Sequence, residues 1–344
     1  LLLICSGGMV TSKGVGLAVP DWPTTFGYNM FLFPVSQWVG GIFFEHTHRL
    51  IASTVGVLTI ILAAWIWRTD ERRWLRNLGF AALGAVILQG VLGGLRVTLL
   101  KDEIGIFHAL LAQAFLGMLV MITLATSQLW RRLVGRARCA VHEPLEPLPD
   151  KLRTPPRSVP TQTLARVAIG TTLVIFFQLG LGATMRHQHR DLAILDFPFA
   201  YGAIIPDASP SAVAKINGWR DARALSDITP FQIWLQLTHR FVAIIIAAGV
   251  IASLFLARRA GEDAGILSRF SDLWFLLLAG QITLGAWVIW SNKAADVATA
   301  HVAVGATMFA LGVSLSAISF RLSRERQMFD AARQSPVSME IPVS

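Results

Sequence analysis

Charge is scarce in this chain. Only 15% of its 344 residues are charged and 54% are hydrophobic, with a mean hydropathy of +0.56. That balance excludes a water-soluble globular domain. Cysteine is almost absent: Cys5 falls in the first apolar run and Cys139 in a polar stretch far along the chain, so no outer-face disulfide joins them. The sequence begins at Leu1 and not Met, so some N-terminal residues are expected to be missing and no signal peptide is read. The net charge of +9 comes from 30 basic and 21 acidic residues. These bases are spread over many short segments and form no single patch, which argues against a nucleic-acid partner.

What the chain has in place of charge is long apolar runs. Eight stretches near the length needed to cross a bilayer are visible, at 1–12, 39–67, 78–98, 105–130, 164–185, 231–257, 271–291 and 299–320. The expected fold is an all-α integral membrane protein of eight transmembrane helices. Segments 68–77, 131–166, 258–269 and 321–344 carry 4, 8, 3 and 4 lysines and arginines. By the positive-inside rule these face the cytoplasm or matrix, and both termini lie there too. The expected location is a bacterial plasma membrane or a mitochondrial inner membrane.

The runs are duplicated. Glu45-His46-Thr47-His48-Arg49-Leu50-Ile51-Ala52 matches Gln236-Leu237-Thr238-His239-Arg240-Phe241-Val242-Ala243, and His108 matches His301. Gly7-Gly8 with Asp21-Trp22-Pro23 is echoed by Leu181-Gly182 with Asp196-Phe197-Pro198. Gln89 to Gly94 is echoed by Gln281 to Ala286 and again by Gln178 to Ala183. Small residues at such positions let helices approach closely in lipid. Residues 1–130 and 164–320 therefore read as two pseudo-twofold-related four-helix bundles, joined by a proline-rich inner linker at 131–163 and followed by a polar tail at 321–344. Four spans separate the repeats, so both halves insert the same way up.

Ionisable groups within a membrane are costly and mark function. Each half places two imidazoles on helices entering from the outer side, His48 with His108 and His239 with His301, and such a pair can hold a haem iron. Four residues after each, a small residue shares its helix face: Ala52, Ala112, Ala243 and Gly305. A flat macrocycle can pack there. His46 points to another face and reads as a helix or interface contact. His187 and His189 read as solvated outer-loop residues, and His142 as a solvated linker residue.

Glu45 lies one turn before His48, where the second half has the neutral Gln236. A carboxylate at only one of two matched pockets suggests that one pocket does chemistry while the other carries electrons. The alternative is that Glu45 pairs with Arg49 or orients a ligand. Arg49, Arg96, Arg186 and Arg240 are candidates for binding haem propionates. Snorkelling to the interface accounts equally well for Arg96 and Arg186. Residues 186–230 form a long outer segment suited to a lid or a docking surface.

Taken together, Gly7-Gly8, Pro20-Asp21-Trp22-Pro23, Glu45-His46-Thr47-His48-Arg49, His108, Thr238-His239-Arg240 and His301 resemble the haem A synthase family over about residues 1–320. The resemblance implies that the C8 methyl group of haem O is oxidised to a formyl group, by successive hydroxylations, for cytochrome c oxidase maturation. It implies haem b as cofactor, ligated by His239 and His301, with substrate haem O held by His48 and His108 and Glu45 as the catalytic carboxylate. Haem O synthase, a farnesyltransferase, and oxidase assembly factors are the partners it suggests, besides membrane lipid; a homo-oligomer is allowed. Some family members carry a cysteine pair in the first outer loop. Residues 12–38 contain none, so no redox role for such a pair carries over. Two rival readings are a diheme cytochrome b-type electron-transfer subunit, which leaves the single Glu45 unexplained, and a transporter, which calls for broken helices at mid-membrane.

Overall fold

The computed structural model describes residues 1–99, 101–133, 159–188, 192–260 and 264–334. The elements are helical: α1 (Leu2–Ser12), α2 (Gly40–Thr69), α3 (Arg73–Leu99), α4 (Asp102–Thr126), α5 (Val159–Gln188), α6 (Pro210–Asp221), α7 (Pro230–Arg258), α8 (Ala264–Trp290) and α9 (Ala295–Gln334), with 3₁₀ turns at Met30–Leu32 and Val35–Gln37. Among the described residues seven helices, α2 to α5 and α7 to α9, are long and apolar enough to cross a membrane. These coincide with seven of the eight expected spans. The exception is the first: α1 has 11 residues, and at 1.5 Å per residue such a helix covers about half of a ~30 Å hydrocarbon core. Most of the proline-rich linker, with His142 and Cys139, lies outside the described residues, as does His189.

The apolar residues are distributed as lipid solvation requires. Leu58, Ile60, Ile61 and Trp65 on α2 and Phe241, Ile244 and Ile245 on α7 are exposed. In water this would be costly, but acyl chains solvate them, and the helices are held by close packing and buried hydrogen bonds instead. The fully buried Trp274 of α8 donates its indole N–H to the Met308 carbonyl of α9 at 2.9 Å. A Cβ on Gly312 would come within 2.9 Å of that indole, so α9 needs a glycine there. In the second half α5, α7, α8 and α9 form a closed ring of neighbours. The first half is a succession, α1 to α2 to α3 to α4, and its ends rest on the second half: α1 against α9, and α4 against α5 and α9.

Each half carries an outer loop of the same construction. Asp21 accepts hydrogen bonds from the backbone N–H groups of Phe26 and Gly27 at 2.8 and 2.9 Å, and Asp196 from those of Tyr201 and Gly202 at 2.9 and 3.0 Å. The carboxylates support turns in which Phe26 (φ 49°) and Tyr201 (φ 52°) take left-handed conformations that non-glycine residues seldom adopt. Single β-bridges, Thr25 to Tyr28 and Ala200 to Ala203, close both turns. Burial pushes the Asp21 carboxyl up, but the Gly27 N–H, the Thr24 hydroxyl and the Phe26 N–H outweigh it and hold it below the usual range. That contribution to loop stability is present above the ordinary carboxylate range and is lost as pH falls through the lowered value.

The second loop is longer because it contains α6. Its start is written in Ser209-Pro210: the Ser209 hydroxyl caps the Ala212 N–H at 3.3 Å and proline occupies the first turn. Val213 of α6 joins Ala193, Ile194, Ile228 and Leu237 in a small apolar cluster. Fully buried Arg220 ties the segment together by donating to the Ser226 carbonyl at 2.7 Å and the Leu192 carbonyl at 3.1 Å. The outer segment expected as a lid or docking surface is thus a packed cap with its own core.

Candidate haem-binding site

A cavity of ≈ 2170 Å³ runs between the two halves, and all four predicted histidines line it. Small-molecule pockets usually occupy about 300–1,000 Å³, so this space has room for two large ligands. Ala52, Ala112, Ala243 and Gly305, the small residues one turn beyond each histidine, line the cavity as expected.

Each imidazole is backed by a glycine of a neighbouring helix. A Cβ added to Gly7 of α1 would lie 2.9 Å from His48 Cε1, and one on Gly93 of α3 would lie 3.5 Å from His108 Cε1. The matching distances are 3.5 Å from Gly182 of α5 to His239 and 3.1 Å from Gly285 of α8 to His301. The repeated small residues are therefore more than helix-packing sites: they are the seats of the four rings. In the first outer segment the residue in register is Gly7 with Gly182, both 14 residues before their aspartates.

Glutamine is the second repeated support. Gln89 donates to the His108 carbonyl at 3.0 Å, Gln178 to the His239 carbonyl at 2.8 Å, and the Gln281 amide lies 3.4 Å from His301 Nε2. Each glutamine stands four residues before the glycine that seats the histidine, one helical turn away. The repetition of Gln-x-x-x-Gly was visible in sequence. Its link to the histidines was not, because it joins different helices.

A haem fits this donor set. Among the described residues no group of three or more histidine, cysteine or acidic side chains could hold a bare metal ion. Two facing imidazoles suffice only for an iron that already has a macrocycle as its other ligand. Nδ1 of His108, His239 and His301 is buried without a hydrogen-bond partner in the described residues. Burying such a group costs about 1–3 kcal/mol, a cost that ligation through the other ring nitrogen would offset.

The pairs differ in what surrounds them. Glu45 Oε2 accepts from the Val19 N–H at 2.9 Å and Oε1 from Arg49 at 2.7 Å. Gln236 clasps Ile194 in the same place, accepting its N–H and donating to its carbonyl at 2.9 Å each. Both side chains are therefore loop staples, and both line the cavity. Arg49 donates to the carbonyls of Val19, Asp21 and Thr24, and Arg240 to those of Asp196, Pro198 and Phe199. These two arginines are committed to the loops.

Arg96 and Arg186 line the cavity together with Arg49 and Arg240. Arg186 bonds the Gly8 carbonyl and the Ser12 hydroxyl of α1, which leaves its remaining nitrogens available. Arg96 has no hydrogen bond or ion pair among the described residues and lies within 3.1 Å of a Cβ built on Gly16. His187 is not a solvated loop residue. It belongs to α5, its ring presses on Gly105 of α4, where a Cβ would approach within 2.6 Å, and Arg96 and Arg186 both act on it. His46 is fully buried outside the cavity, 3.3 Å from the Thr25 hydroxyl, tilted against Phe33 and edge-on to Trp38, in keeping with its reading as a contact residue. Trp22, named above within the repeat and the family motif but given no role, lines the cavity and covers Gly94, where a Cβ would meet its indole.

An all-helical membrane bundle with paired imidazoles defines the class of membrane haem proteins, and comparison with known sequences narrows it. The profile of COX15-CtaA, the cytochrome oxidase assembly protein family, matches residues 1–313, and the chain belongs to that family. The chain is similar to Heme A synthase of Shouchella clausii, 23% identical and covering 86% of this chain and 84% of that protein. Heme A synthase of Bacillus licheniformis is 26% identical over 88% and 86% of the two chains, and that of Alkalihalophilus pseudofirmus 22% over 90% of each.

The glycine seats give a graded prediction. Gly7→Ala, at 2.9 Å, displaces His48 and abolishes the low-spin haem signal that depends on it, whereas Gly182→Ala, at 3.5 Å, leaves the His239 signal in place. Low-temperature absorption and electron paramagnetic resonance of the purified variants distinguish the two. Equal effects, or none, would show that the glycines do not seat the rings.

Proposed function

We propose that this chain is a membrane haem A synthase, oxidising the C8 methyl group of haem O to a formyl group for cytochrome c oxidase maturation. The observation that carries the reading is the pair of like-built imidazole pockets in one cavity, distinguished by Glu45 in one and Gln236 in the other. Family membership and the likeness to bacterial haem A synthases support the same reaction. The first half, with α1 as part of an eighth span, forms one four-helix bundle and the second half another. Both termini face the cytoplasm of a bacterium or a mitochondrial matrix, as the arginine-rich inner segments favour.

In this reading His239 and His301 hold haem b, and His48 and His108 hold the substrate haem O. Oxidising an unactivated methyl group needs a metal-centred oxidant, which the bound haem supplies. The protein's own part is to seat both rings, exclude water and place charge. Because the neutral Gln236 performs the loop staple without a charge, the staple alone does not call for a carboxylate at position 45. Arg49 and the Val19 N–H both donate to Glu45 and hold it at the cavity wall. There its carboxyl group stabilises positive charge developing on the methyl carbon. Arg96 and Arg186, facing the cavity, take the propionates, while Arg49 and Arg240 hold the loops over the two pockets. Haem O synthase and oxidase assembly factors are the partners that deliver substrate and receive product.

The division of labour is testable with ligand variants. His239→Ala or His301→Ala removes the resident haem b spectrum, since bis-imidazole ligation loses one of its two axial bonds. His48→Ala or His108→Ala leaves that spectrum and stops haem A formation. Loss of the same cofactor from all four variants would refute the assignment.

Glu45→Gln copies Gln236 and keeps the staple while removing the charge. It is expected to retain haem b and bind haem O, yet to form haem A at least about 100-fold more slowly, accumulating haem O or the alcohol. Chromatography of extracted haems reads the result directly, and a normal haem A yield would reduce Glu45 to a structural partner of Arg49.

A further inference from the structure

The support of the four histidines is threefold regular and once broken. On α3, α5 and α8 a glutamine stands four residues before the seating glycine. On α1 that position, four before Gly7, is Leu3, which has no side-chain hydrogen bond to offer. In its place Ser6, one residue before the glycine, reaches the ring itself: Ser6 Oγ lies 2.8 Å from His48 Nδ1. Nδ1 of each of the other three histidines has no partner among the described residues.

We infer that Ser6 is a positioning residue that fixes the tautomer of His48 and makes it the most strongly held of the four ligands; the inference rests on the haem reading above. A hydroxyl has one proton to give. Ser6 Oγ is 2.9 Å from the Leu3 carbonyl oxygen, in the geometry of a donated hydrogen bond. With that proton directed to Leu3, the hydroxyl meets His48 Nδ1 as an acceptor, so Nδ1 carries the ring hydrogen. Nε2 is then left with its lone pair, the form that binds iron. A hydrogen bond from the distal ring N–H also locks ring orientation and raises ligand basicity. The opposite arrangement, Ser6 donating to Nδ1, would put the hydrogen on Nε2 and block ligation. The substrate-side pocket thus has an orientation device at Nδ1, where the partner pocket has only the Gln281 amide 3.4 Å from His301 Nε2.

The test uses the full-length protein, purified with its haems, and follows haem transfer to excess apomyoglobin together with the low-spin electron paramagnetic resonance signals. Ser6→Ala is expected to release haem from the His48–His108 pocket about 10- to 100-fold faster and to shift its signal, with the His239–His301 haem unchanged as the internal control of folding. Ser6→Thr, which keeps the hydroxyl, restores the wild-type rate and signal. A Ser6→Ala protein with wild-type transfer and an unshifted signal overturns the inference while leaving the haem reading intact. Loss of both signals in Ser6→Ala and Ser6→Thr alike overturns it too, by assigning Ser6 to packing. A wild-type protein without any His48-dependent haem signal removes the haem reading and this inference together.

Discussion

The structure depends on the cost of keeping an imidazole in a lipid-solvated bundle. Polar side chains there cannot fall back on water, so each histidine must be seated by shape and held by a partner or a ligand. Shape comes from Gly7, Gly93, Gly182 and Gly285, whose missing side chains admit the four rings. Partners come from Gln89 and Gln178, which tie down the histidine backbones, from Gln281 near the His301 ring, and from Ser6 on His48. The helix pairing follows from these contacts, since every glycine and its histidine lie on neighbouring helices.

The outer loops depend on the same helices. Glu45 and Gln236 sit one turn before their histidines and hold Val19 and Ile194, while Arg49 and Arg240, the residues directly after the histidines, gather three loop carbonyls each. A single helical stretch thus fixes both the ligand and the cover above it. Both halves share this device and differ in three features of it: Glu45 against Gln236, Leu3 against the glutamines, and α6 in the second loop. Arg96 and Arg186 add positive charge to the cavity wall where the two halves meet.

Much of this was legible in the residue string. Seven of the spans follow from apolar runs, because lipid solvation makes hydrophobicity nearly independent of tertiary context. The four histidines and the small residues Ala52, Ala112, Ala243 and Gly305 were read from periodicity and repeat, and they converge on one cavity. The seating glycines were noticed as a repeat but not as partners of the histidines, since pairing across helices leaves no local pattern. His187 misled because Arg-His-Gln-His-Arg reads as a polar loop, whereas α5 continues through Gln188 and turns His187 against Gly105. Arg49 and Arg240 line the cavity and also gather three loop carbonyls each, contacts that cannot be seen in sequence. α6 was announced by Ser209-Pro210 and overlooked inside a segment rich in proline.

The central claim is that one chain holds two haems of different identity in two like-built pockets. Pigment extraction from the purified wild-type protein, with mass spectrometry of the haems and their ratio to protein, addresses it directly. The account predicts haem B together with haem O or haem A. Haem B alone, whether one or two per chain, would contradict it and point to a plain membrane cytochrome.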